Sequence, residues 1–333
     1  MPTSVAAELG RSAKGKIDMN RRIYTALILL ACSIGVTASV GGRDIDPQEE
    51  LISKIERISK QDQEDGSYLD MALLASRLIN PELDAKAIVQ KLDGISKTAE
   101  QGWRNAKSNE EKVKALVKAV FATHGFKKAP GQAPMISGRG IYTTYSLPGV
   151  LEGKQGYCEG LSTIFMLVSE HVKLPVSIIN LPVHTMCRVD IPGSDSIWVE
   201  CLRQGDIKTE KDVYEGYNLR PAARNSGVYA APLSKKQFLN LHVNALVYGL
   251  IQQEGGIAPF TMKQLTRLAD VIVLLDPNRP ESLETAALVH FKAGNVIRAQ
   301  EIIKHAVEQA ESLGGPSWVI RYFKKKQQEY QRH

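Results

Sequence analysis

The sequence predicts an α+β protein: a cysteine-bearing helix packed on a small antiparallel sheet, with helical regions before and after this core. Three observations predict it. Gly156-Tyr157-Cys158 opens an apolar run at helical spacing (Leu161, Ile164, Phe165, Leu167, Val168). Short β-rich stretches follow at 176–181, 184–191 and 196–202, the last two joined by the turn Pro192-Gly193-Ser194-Asp195. On both sides of this block the apolar residues recur with helical rather than strand periodicity.

Residues 1–18 are polar and patternless, which makes Met19 an alternative start. Residues 19–41 read as an export segment: Arg21-Arg22 precede the apolar run 23–32. Three outcomes stay open there. Leu29-Leu30-Ala31-Cys32 resembles a lipoprotein box, Val36-Thr37-Ala38 is a small-residue cleavage site, and 23–40 is long enough to remain as a membrane helix. The expected location is the cell envelope, with the chain membrane-anchored, lipid-anchored or secreted.

Residues 42–135 form a helical region packed on the core. Helices are expected at 47–60 (Leu51, Ile52, Ile55, Ile58 on one face), 67–79, 83–101 and 110–121 (Val113, Leu116, Val117, Val120). Residues 127–140, rich in Gly and Pro, read as a long loop, and 141–145 as a short strand or cleft wall. The core spans 136–232. Its last part, 203–233, reads as irregular, with Tyr214, Tyr217 and Tyr229 covering the cleft or wrapping the core. Residues 233–333 are helical. Ala287, Gly294, Ala299 and Ala306 fall at the small-residue positions of one tetratricopeptide repeat (TPR), preceded by a degenerate one ending near Leu274-Leu275-Asp276-Pro277-Asn278. This tail is either a groove for a protein partner or a buttress.

Composition bounds the chemistry. In 333 residues, 43% are hydrophobic and 23% charged, an ordinary globular balance that excludes a disordered chain. The net charge of +6 is mild and no basic block is interleaved with aromatics, which argues against nucleic acid. Four cysteines without CxxC spacing argue against a zinc ribbon, and no glycine loop cradles phosphate, so no metal or cofactor is expected.

The chemistry centres on Cys158. At the start of a helix, free N–H groups and the dipole favour thiolate, so its pKa is expected below the ordinary cysteine value of about 8.5. In the 184–202 hairpin, a pairing of even with even positions puts His184, Met186, Arg188 and Glu200 on one face. Thr185, Val189, Ile191, Ile197 and Val199 share the other, more apolar face. Nucleophile, base and orienting acid then converge as Cys158, His184 and Glu200. Gln155, Tyr157 and the Cys158 backbone N–H are candidates for an oxyanion hole or cleft. One register sets Arg188 opposite Glu200 as an ion pair, and Cys187 opposite Cys201 on the face away from Cys158. There an oxidising compartment permits a disulfide; a register shifted by two or four residues leaves two buried thiols.

Gly156-Tyr157-Cys158, the following Leu174-Pro175-Val176, His184 opening a strand and Glu200 on the next resemble the transglutaminase-like superfamily, a papain-related fold. The closer resemblance is to its SirB-type branch, which carries helices before the core and TPR-like helices after it. Residues 69–75 and 87–93 fit that helical region as well. The family's usual third member is Asp, where this chain has Glu200, one methylene longer. The resemblance implies acyl transfer on peptide or glutamine amides through a Cys158 thioester. Resolution by water would make a peptidase or amidase, by an amine a transglutaminase. The alternative is an inert scaffold that binds an envelope protein through its TPR-like tail.

Overall fold

A computed structural model describes residues 46–61, 65–131, 144–193, 195–252 and 260–332. The expected export segment, most of the predicted loop at 127–140, and residues 141–143 lie outside them. No helix among the described residues is long and apolar enough to cross a membrane.

Among the described residues, four helices precede the core, and each starts where a capping side chain satisfies the free N–H groups of its first turn. Helix α1 (Pro47–Lys60) is capped by Asp46, begins with proline, and buries Ile52 and Ile55. Helix α2 (Tyr68–Arg77) opens with a reciprocal Ser67–Asp70 capping box. Asp84 caps α3 (Ala85–Trp103) and Ser108 caps α4 (Asn109–Val117). Helix α4 widens into a π-helical turn at Lys118–Thr123, which buries Phe121 against the core.

The core begins with two short strands, β1 (Lys127–Lys128) and β2 (Gln155–Gly156), paired in parallel. Lys127 and Lys128 are therefore strand where a loop was expected. Thr144 and Tyr145 are helical rather than extended. Helix α5 (Leu147–Gly153) sits between the two strands, and α6 (Cys158–His171) follows β2. Helices α5 and α6 approach closely at Gly160. A Cβ there would come within 2.8 Å of Val150 Cγ2 and 3.1 Å of the Thr144 carbonyl.

The main sheet is an antiparallel meander of β3 (Val176–Leu181), β4 (His184–Val189), β5 (Ile197–Glu200) and β6 (Asp206–Lys208). Leu181 pairs with His184 across a turn of only Pro182 and Val183. Between β4 and β5, Cys187 pairs with Val199 and Arg188 with Trp198. This is the register shifted by two. Even positions still face even, but Arg188 meets no Glu200. Its guanidinium instead binds Asp190 (Nε–Oδ1 2.8 Å) and the Ala230 carbonyl (3.0 Å).

Both faces of this sheet are buried. Ile178, Cys187, Val189 and Val199 join the main core, which runs from Ile52 to Tyr330. Ile179, Leu181, Met186 and Trp198 face a second core with Val213, Leu219, Ala223 and Tyr229. The second layer comes from 203–233, which is folded rather than irregular. It supplies β6, α7 (Glu210–Gly216, with a Thr209–Asp212 capping box) and α8 (Pro221–Asn225). The turn into β6 requires glycine at 205, where φ is +84° and a Cβ would lie 2.5 Å from Val117 Cγ1.

The face bearing Cys187 and Cys201 is not remote from Cys158, as the strand pattern suggested. It packs on α6 itself, and the Cys187 thiol donates to the Ser162 carbonyl one turn beyond Cys158 (3.5 Å). Despite the shifted register, the two sulfurs lie 3.8 Å apart, because the chain curls into a 3-10 turn at Cys201–Arg203. Both are free, buried thiols.

Among the described residues, five helices follow: α9 (Lys235–Ile251), α10 (Met262–Leu275), α11 (Pro280–Lys292), α12 (Val296–Ser312) and α13 (Ser317–Gln331). Helix α9 packs on α2, and α10 on α1. Arg267 of α10 reaches Glu56 of α1 (Nε–Oε1 2.9 Å) and Glu49, tying the C-terminal helices to α1.

Candidate active site

Cys158 is the first residue of α6, with Tyr157 in extended conformation at the N-cap position and no side chain capping the helix. The N–H groups of this first turn are therefore free of a side-chain cap from Tyr157. Only 9% of Cys158 is exposed. Its Sγ donates to Glu159 Oε2 at 3.3 Å.

The start of β4 brings His184 to the same place, within side-chain hydrogen-bonding range of Cys158. Its Nε2 lies 2.8 Å from Glu200 Oε2 at the end of β5. Glu200 is 7% exposed, and its other oxygen accepts the Leu202 N–H at 3.0 Å. Shared parity on adjacent strands puts His184 and Glu200 on one face, as the alternation predicts. The predicted trio of Cys158, His184 and Glu200 is thus brought together.

Gln155 and Tyr157 divide. Gln155 is half-buried in β2, just before the cysteine turn. The Tyr157 ring is buried against Tyr145, and its hydroxyl donates to the Pro130 carbonyl at 3.2 Å. That hydroxyl is spent on holding the β1 connection. Three neighbours escaped the sequence reading, and a fourth, Tyr217, takes the cleft-covering place that is one of its two expectations. Glu159 had only its adjacency as a signal. Thr185 lies within hydrogen-bonding range of Cys158 from the strand face assigned as apolar. Tyr217 stacks flat on His184, with centroids 5.5 Å apart. Glu281 accepts the Val183 N–H from α11, 98 residues away (2.9 Å).

The electrostatics correct one expectation. Burial pushes the Cys158 thiol above its ordinary range, and the Glu159 carboxylate adds to that. Hydrogen bonds from His184 and Thr185 pull in the other direction without prevailing. The helix terminus alone therefore does not decide the ionisation of this cysteine. For His184, burial favours the neutral ring, but the partners Cys158 and Glu200 outweigh it and raise its pKa to about 10. The two groups titrate as a coupled pair, in which the imidazolium is favoured while burial and Glu159 disfavour the thiolate.

A cavity of about 460 Å³ opens beside His184, between Pro182-Val183, Gly216-Tyr217-Asn218 and Pro316-Ser317-Trp318. Val183 and Trp318 stand on it, each 52% exposed. Among the described residues, no group of His, Cys, Asp or Glu is arranged to hold a metal ion.

Residues 86–243 match the Transglutaminase-like superfamily, so this stretch is a transglutaminase-like domain, with a fold suited to cysteine-based acyl transfer. It holds all five predicted site residues. The chain is also similar to UPF0162 protein BU173 of Buchnera aphidicola subsp. Acyrthosiphon pisum (strain APS). The two are 19% identical over 229 residues, 67% of this chain and 79% of that protein. Among solved structures it resembles menin, whose crystal structure reveals the binding site for Mixed Lineage Leukemia (MLL) protein. The TM-score is 0.50 at 12% identity, covering 85% of this chain and 67% of menin. At that identity the likeness concerns the fold alone.

Proposed function

We propose that this protein is a cysteine acyl transferase of the transglutaminase-like type, acting on peptide or glutamine amides in the cell envelope and hydrolytic in its outcome. One observation carries the reading: Cys158 at an open helix start beside His184, whose Nε2 is held 2.8 Å from the buried Glu200 carboxylate. Loss of the thiol proton leaves Cys158 thiolate beside His184 imidazolium. The thiolate attacks the amide carbonyl carbon, and the electron pair moves onto the carbonyl oxygen. The Cys158 backbone N–H and Gln155 are the candidates to stabilise that oxyanion. As the intermediate collapses, the C–N bond breaks and the imidazolium protonates the leaving amine, giving the Cys158 thioester. His184, now neutral, takes a proton from water, which attacks the thioester and releases the acid and the thiol. An amine in place of water would give a new amide.

The test is to trap the acyl-enzyme. Wild type and Cys158→Ser are incubated with an activated peptide ester and quenched in acid, and the adduct is located by peptide mass spectrometry. A thioester on Cys158 that accumulates in His184→Ala and turns over in wild type supports the reading. Absence of any Cys158 adduct overturns it.

The deep burial of Cys158 favours a second reading, an inert scaffold that binds an envelope protein through its tail. In that reading α11 and α12 form a TPR-like hairpin, with Ala287, Ala299 and Ala306 fully buried between helices and Gly294 turning the chain at φ +80°. The same trapping experiment separates the two.

A further inference from the structure

Val183 is out of character with its backbone. It is β-branched, yet holds φ at +52°, a conformation that costs such residues on the order of 1–3 kcal/mol and persists only where surroundings enforce it. It is also the residue before His184, in a two-residue turn between β3 and β4. What enforces it comes from outside the transglutaminase-like domain. Glu281, in the first turn of α11, accepts the Val183 N–H at 2.9 Å.

Glu281 is itself fixed on other sides. Its Oε1 also accepts the Tyr229 hydroxyl at 3.0 Å, and Oε2 lies 3.4 Å from the Arg279 guanidinium. Arg279 is only 5% exposed, and Asp276 and Glu159 also act on its charge. A buried guanidinium held between carboxylates, and a buried tyrosine, leave Glu281 little freedom.

We propose that Glu281 is a positioning residue for His184. By clamping the Val183 N–H it holds the turn that aims the imidazole at Cys158 and Glu200. The inference rests on the acyl-transfer reading of Cys158 and His184. It gives the C-terminal helices a part in the site that is neither groove nor buttress. Bases are useful only when held within a fraction of an ångström, and such holding is done by surrounding hydrogen bonds.

The test is iodoacetamide alkylation of Cys158 in the full chain, followed across pH by peptide mass spectrometry. Glu281→Ala is expected to slow alkylation about fivefold or more and to move its onset to higher pH. Glu281→Gln keeps a carbonyl acceptor and should stay within about twofold of wild type. Val183→Asn, a residue that tolerates positive φ, should recover most of the loss when added to Glu281→Ala. A merely structural role would not produce that rescue. Should Glu281→Ala fail to fold, amide exchange of wild type decides. The Val183 N–H is expected to be protected, and exchange at the rate of an open turn overturns the clamp. If His184→Ala slows Cys158 while Glu281→Ala does not, or Val183→Asn gives no rescue, the positioning role is wrong. If His184→Ala itself leaves Cys158 unchanged, it is the underlying catalytic reading that fails.

Discussion

The rings of His184 and Tyr217 lie stacked, 5.5 Å between centroids and 7° from parallel. Tyr217 ends α7, in the stretch that pattern alone marks as irregular, and it covers the imidazole from the side opposite the main core. Its hydroxyl pKa is pushed upward by burial and by the nearby Glu200 and Cys158. Tyr217 is thus a wall of the site. Tyr217→Ala should speed Cys158 alkylation by small neutral reagents about threefold or more by opening access, while Tyr217→Phe should not. Equal rates in all three proteins would show that the ring shields nothing.

Glu159 acts in the opposite sense to His184. Its carboxylate disfavours a negative charge on Cys158, the second largest cause of the raised thiol pKa after burial. Glu159→Gln should therefore shift the onset of Cys158 labelling to lower pH and speed it several-fold at neutral pH. An unmoved pH profile would remove Glu159 from the site's electrostatics.

Gly205 is predicted to be intolerant. Alanine there combines a strained φ of +84° with a Cβ 2.5 Å from Val117 Cγ1, for a loss of about 2–4 kcal/mol in urea unfolding. Its N–H also donates to the Glu200 carbonyl at 3.0 Å, so the variant should lower Cys158 reactivity as well as stability. A melt matching wild type would contradict the packing.

Far from the site, Glu284 of α11 is buried and accepts the Tyr322 hydroxyl at 3.0 Å. Burial raises its pKa to about 7, against the opposing pull of Tyr322 and Lys326. A carboxyl whose folded pKa is raised stabilises the fold fully below its unfolded value, and that stability is lost as pH climbs through about 7. Glu284→Gln, neutral at every pH and still an acceptor for Tyr322, should therefore gain stability at pH 8 relative to pH 4. The differential is on the order of 3 kcal/mol. Identical pH dependence of the melting temperature in both proteins would refute this.

How much of this was legible depended on whether a signal was local. The apolar stripe placed α1 at Pro47–Lys60, and the β-rich run placed β3 at Val176–Leu181, both to the residue. Parity put His184 and Glu200 on one face, because alternation needs no knowledge of register. Register itself escaped, since the length of the turn at 190–196 decides it, and the shift of two moved Arg188 from Glu200 to Asp190. Helices α7 and α8 escaped because seven and five residues carry too little periodicity, although Thr209 and Asp212 are a readable cap. The ionisation of Cys158 was beyond local reading altogether. A helix start argues for thiolate, but Glu159 and the surrounding burial reverse it.

Glu200 is bound at both oxygens, one by His184 and one by the Leu202 backbone where β5 ends in its 3-10 turn. A carboxylate gripped at two points has a single useful rotamer, so almost no conformational entropy is lost when the imidazole must be held during proton transfer. The extra methylene over aspartate is what lets one side chain span both partners from the edge of the strand. The glutamate here is thus a matter of reach, set by where the strand stops, and Glu200→Asp would have to abandon either the histidine or the turn.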